Sequence, residues 1–172
     1  MTGTLRALLF FAAMAGTGAA HAATAGRYDD PATYCAALRT VDRPGPRYAG
    51  PAVPDWIAQA LRQASGAPAG APLEIFKRAR WRCTDGKVLA CLYGANIPCD
   101  SKADTRRRAS AGSKRFCRDN REAEVVPAFA AGRGTVYEWH CRDGVPQIVR
   151  QVQQTDKRGY AASFWYPVTP AR

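Results

Sequence analysis

The chain has 172 residues, with 25 Lys and Arg against 14 Asp and Glu, a net charge of +11, and six Cys. The length suits one domain, and after the first residues no stretch is long and apolar enough to span a bilayer as a helix. The basic balance excludes an acidic solvating chain and leaves two readings, a merely solvated basic surface or one that meets anionic partners.

Met1 to Arg6 carry one positive charge, Ala7 to Ala15 form a short apolar run, and Ala20-His21-Ala22 is a small-x-small cleavage site. This predicts a secretory signal peptide over 1–22, with a run too short to be a membrane anchor. The expected product is 23–172, a single disulfide-stapled α+β domain that is periplasmic or secreted. Removing Arg6 leaves 24 Lys and Arg against 14 Asp and Glu, and removing His21 leaves His140 as the one histidine.

Cys35, Cys83, Cys91, Cys99, Cys117 and Cys141 all fall in the product. An even number in an exported chain predicts three disulfides. There is no Cys-x-x-Cys, and the spacings are not those of a zinc site, so neither a metal nor a cofactor is expected. Six cysteines allow about 15 pairings. Cys99 and Cys117 flank one long loop and are the first candidate pair.

Asp29-Asp30-Pro31 opens a helix over about 31–39, with an Asp cap, Pro at the first position, and Cys35 facing inward. Val41 to Val53 is too rich in Pro and Gly for regular structure. Pro54-Asp55 opens a second helix over about 54–64, in which Trp56, Ile57, Ala60 and Leu61 recur at helical spacing. Ser65 to Pro72 is a connector.

Trp81-Arg82-Cys83-Thr84-Asp85-Gly86 is echoed by Trp139-His140-Cys141-Arg142-Asp143-Gly144. Asp-Gly after an alternating strand predicts a two-residue hairpin turn, with Trp and Cys on one face. In the first hairpin this sets Cys83 opposite Val88 and Trp81 opposite Ala90. Cys91 then points to the other face, which makes a Cys83–Cys91 bridge awkward.

Gly94 to Ala109 reads as an irregular loop, and Ser110 caps a third helix over about 111–119 with Phe116 and Cys117 inward. Val125-Val126-Pro127 restarts extended structure. A meander of Thr135–Arg142, Val145–Val152 and Tyr160–Tyr166 follows, its last strand aromatic on both faces and so covered on both. The expected fold is α+β: one antiparallel sheet of about five strands, from the two hairpins and the C-terminal strand, under three short helices.

The catalytic inventory is thin. His140 lies between Trp139 and Cys141, so on a strand it faces away from both. There is no nucleophile elbow, phosphate loop or dinucleotide fingerprint. Asp85 and Asp143 are better explained as turn residues than as a carboxylate pair. What stands out is positive charge. Arg78, Arg80 and Arg82 alternate and would line one strand face. Arg106, Arg107, Arg108, Lys114, Arg115, Arg118 and Arg121 form a second group on the loop and third helix.

Tyr34-Cys35-Ala36-Ala37, the segment Tyr48 to Ile57, the block Trp81 to Cys99 and the ending Ala162-Ser163-Phe164-Trp165-Tyr166 resemble a family of small exported Gram-negative bacterial proteins to which no activity is attached. The resemblance implies an envelope location and no chemistry. The expectation is a non-catalytic binding protein with a basic surface at Arg78, Arg80, Arg82, Arg106, Arg107, Arg108, Lys114, Arg115 and Arg118. Its partner would be an anionic envelope polymer, a lipid headgroup or an acidic protein. Nucleic acid is chemically compatible, but the compartment argues against it. The competing readings are a small envelope-modifying hydrolase using His140 with an Asp, and a structural envelope protein.

Overall fold

A computed structural model describes residues 26–94 and 98–171. The expected signal peptide and its cleavage site lie outside the described residues. The fold is α+β, with antiparallel strands in two sheets rather than the single sheet expected. The helices are α1 (Pro31–Leu38), α2 (Asp55–Ala64), α3 (Leu73–Phe76), α4 (Ala111–Asp119) and α5 (Ala128–Ala131). The strands are β1 (Arg80–Thr84), β2 (Lys87–Cys91), β3 (Tyr137–Arg142), β4 (Val145–Gln151) and β5 (Tyr166–Val168). The three expected helices form, and the short α3 and α5 join them, each entered through a proline, Pro72 or Pro127.

Local chemistry accounts for the long elements. The Asp30 carboxylate accepts the Thr33 N–H at 2.9 Å with Pro31 next in line, so α1 starts there. The Ser110 hydroxyl accepts the Ser113 N–H at 2.9 Å and starts α4 in the same way. Both Asp-Gly turns have positive φ at both central residues, 51° and 83° at Asp85 and Gly86, 53° and 79° at Asp143 and Gly144. That is the two-residue turn whose twist matches the flanking strands. The first hairpin has the expected register, Cys83 opposite Val88 and Trp81 opposite Ala90.

The two hairpins are the centres of two similar units. Cys83 is bonded to Cys35 of α1, and Cys141 to Cys117 of α4. In each unit the turn glycine donates to the carbonyl of an arginine just past the helix, Gly86 to Arg39 at 2.8 Å and Gly144 to Arg121 at 3.0 Å. The turn aspartate N–H also donates, Asp85 to Thr40 Oγ1 at 3.1 Å and Asp143 to Glu122 Oε1 at 2.9 Å. The strand cysteine N–H donates to the next residue but one past that arginine, Val41 or Ala123. An aromatic precedes each helix cysteine, Tyr34 or Phe116, and shares a core with the hairpin Trp. The repeat visible in the sequence is therefore the hairpin half of a larger helix–strap–hairpin unit.

The third disulfide is Cys91–Cys99. The expected Cys99–Cys117 pair does not form, because Cys117 is claimed by Cys141 across the second unit. The C-terminal strand also differs. Residues 160–165 are not a strand beside β4; Ala162–Phe164 is one 3₁₀ turn, and β5 pairs antiparallel with β2, in the other sheet. A strand would send Tyr160 and Trp165 to opposite faces. The 3₁₀ turn brings both rings to one side, 5.5 Å apart and edge-on.

The first sheet is thus covered on both faces. Trp81, Cys83, Val88 and Ala90 pack with Tyr34 of α1 and with Ile57, Ala58 and Leu61 of α2. Tyr160, Trp165 and the Cys91–Cys99 bridge pack on its other side.

Candidate binding surface

The alternation of Arg78, Arg80 and Arg82 does not make a basic strand face. Arg82 points away from Trp81 and Cys83 as expected, but the 155–165 segment covers that side. Arg82 is fully buried. Its guanidinium carbon lies 4.3 Å from the Tyr160 ring centre and 4.4 Å from that of Trp165. Nη2 donates to Asp156, while Nε and Nη1 have no hydrogen-bond partner among the described residues, the guanidinium being stacked on the two rings. Burial alone would raise the Asp156 carboxyl, but the Arg82 hydrogen bond and the Tyr160 and Arg158 N–H groups outweigh it and hold it below the usual range. Arg80 is half-exposed, and its charge is met by Asp100 at 2.7 Å. Arg78 is exposed, just before β1.

The second group is divided too. Arg106 grips Asp104 with two bonds, 2.9 Å from Nε and 2.7 Å from Nη2, which lowers the Asp104 carboxyl and removes Arg106 as a free charge. Arg107 lies 5.2 Å from the centre of the Tyr137 ring, and Arg108 is exposed. On α4, Ser113 and Cys117 are buried, so Lys114, Arg115 and Arg118 must lie on the outer side. All three are exposed, and no carboxylate among the described residues lies within 4 Å of them. Arg121 lies past the end of α4, and its guanidinium sits over Gly144 at the second hairpin turn rather than in the α4 stripe.

One residue of this face was not legible in the sequence. Phe129 of α5 is 78 % exposed, and Val125, just before α5, is 57 % exposed. The stretch around them reads only as restarted extended structure, and nothing in it signals which apolar side chain stays outside. The Ser110 hydroxyl donates to the Ala130 carbonyl at 2.7 Å, and a Cβ on Gly112 would sit 2.5 Å from that oxygen. So α5 rests on the start of α4 at a distance only glycine permits, and Phe129 is held on the side of α4 that carries Arg115.

A cleft of about 430 Å³ lies in the first unit, between the 42–53 strap, β1 and Trp165. Its charges are largely internal. Lys77 is met by Asp55 and Glu74, Arg80 by Asp100, and Asp42 by Arg158. Tyr48 borders it, with its hydroxyl pushed up to about 12 by burial and by the charges of Asp30 and Asp29. His140 is half-buried on β3 opposite Gln147, in the other unit, and does not line this cleft. Asp85 and Asp143 sit at the turns, where their conformation accounts for them.

No protein-family profile, curated protein or solved structure matches the chain. Fold and surface define it as a disulfide-stapled α+β protein with all six cysteines paired, which suits an oxidising compartment. Among the described residues no helix is long and apolar enough to cross a membrane.

Proposed function

We propose that the chain is a non-catalytic binding protein of the periplasm or the exterior, which holds an anionic partner on the outer side of α4 and the loop before it. One observation carries this. Arg107, Arg108, Lys114, Arg115 and Arg118 are exposed, and no carboxylate among the described residues lies within 4 Å of them. In the first unit Arg82 is buried and Arg80 is met by Asp100, while the exposed Arg39, Arg43, Arg78 and Lys87 fall on separate segments rather than on one helix and the loop that leads into it. Three disulfides and a leader-like start support export, as does the resemblance to small exported envelope proteins.

The test is a salt series of binding isotherms with heparin and with polyglutamate as soluble polyanions. Replacing Arg107, Arg108, Lys114, Arg115 and Arg118 by Ser should weaken binding, most strongly at low salt, because exposed charges are screened over about 8 Å at physiological ionic strength. His140→Ala should bind like the parent. An affinity that ignores salt and collapses only in His140→Ala would move the site to β3 and favour the hydrolase reading.

A further inference from the structure

We infer that the basic face docks on an anionic lipid surface, with Phe129 entering the headgroup layer; this rests on the binding reading above and names its partner. Phe129 is 78 % exposed, and its ring meets Phe116 edge-on at 6.3 Å, so it is propped outward by a half-buried neighbour. With Arg115, Phe116 and Asp119 it borders a shallow hollow of about 280 Å³ between α4 and α5.

The mixture of groups selects the partner. A soluble polyanion gains from guanidinium and ammonium groups but has little to offer a bare phenyl ring. A bilayer interface takes both, the cations at its phosphates and the ring among the upper acyl carbons. Between residues 104 and 142 there are nine Lys and Arg against five Asp and Glu. Three of those acids are occupied within the fold, Asp104 by Arg106, Glu138 by Arg150 and Glu122 by Arg142. Asp119 and Glu124 oppose docking and are outnumbered by Lys114, Arg115 and Arg118 on α4. The protein would lie on the surface, since no described helix can cross it.

The experiment is co-sedimentation of the mature chain with vesicles of phosphatidylcholine alone or mixed with phosphatidylglycerol, with heparin binding as the parallel arm. The parent should sediment only with the mixed vesicles. Phe129→Ala should weaken this about tenfold, the loss for leaving one ring out of the interface, with heparin binding unchanged. Phe129→Trp should restore it and add quenching by brominated lipid. Arg115→Ser and Arg118→Ser should each cost about fivefold. If Phe129→Ala sediments like the parent while the Arg variants lose heparin, the lipid inference falls and the polyanion reading stands. If the Arg variants change neither arm, both fall. A dimer in sedimentation velocity that Phe129→Ala converts to monomer would make a second copy the occupant and overturn the inference.

Discussion

Arg82 and Asp156 meet across 74 residues of chain, with the arginine fully buried and the aspartate at the edge of its enclosure. This pair, with Tyr160 and Trp165 closing over it, fixes the C-terminal segment onto the outer face of the first sheet. Removing the acid alone leaves a buried cation without a counter-charge. Asp156→Asn should cost about 3–5 kcal/mol, and Arg82→Met combined with Asp156→Asn should cost less than that single change. Denaturant unfolding without reductant measures both. A loss below about 1 kcal/mol in Asp156→Asn would mean that Arg82 finds water, within the variability seen for ordinary substitutions.

The same pair sets the acid limit. Asp156 is held low by Arg82 against the opposing effect of burial, Asp42 by the two-bond grip of Arg158, and Asp104 by Arg106. Each folded-state pKa lies below the unfolded value of about 3.9, so the stabilisation is present above about pH 4 and is lost as pH falls through the folded values. Thermal melts at falling pH should show this decline, and Asp156→Asn should flatten it. Equal acid sensitivity in parent and variant would assign the limit to other groups.

The disulfides should rank by the loop each closes. Cys35–Cys83 spans 48 residues, Cys117–Cys141 spans 24 and Cys91–Cys99 spans 8. Paired Cys→Ser replacements should cost about 2–4 kcal/mol each, in that descending order, if loop entropy dominates. Exported material should titrate no free thiol under denaturing conditions. Two thiols per chain would refute the pairing.

Gly86→Val and Gly144→Val test the equivalence of the two units. Both glycines have positive φ, 83° and 79°, where a β-branched side chain is strained by at least about 1–2 kcal/mol. Each substitution should lower the melting temperature. A neutral result in one unit alone would show that its turn has an alternative conformation.

The hairpins were legible because everything that makes them is local: a turn-forming pair, an alternating strand, and Trp and Cys on the same parity. The caps of α1 and α4 were legible for the same reason. The fate of Arg82 was not. Alternation correctly sends it away from Trp81, but the cover comes from residues far along the chain that the strand pattern does not encode. Aromatics on both faces of 160–166 did signal a covered segment, yet the 3₁₀ turn that puts Tyr160 and Trp165 on one side overrides the strand pattern. Cys99–Cys117 failed because proximity in sequence is a poor guide when the repeated unit already assigns Cys117 to its own hairpin. Of the basic residues, the α4 group kept its exposure because a short helix packed on one side must show the other.

Amide chemical-shift mapping during titration with an anionic ligand tests the binding claim most directly. Short heparin oligosaccharides at low salt are a suitable probe. Perturbed amides should cluster between 106 and 121 and fade as salt is added. Shifts that concentrate instead at His140, or along the strap at 42–53 and Trp165, and persist in salt would contradict it and place the binding site in a pocket.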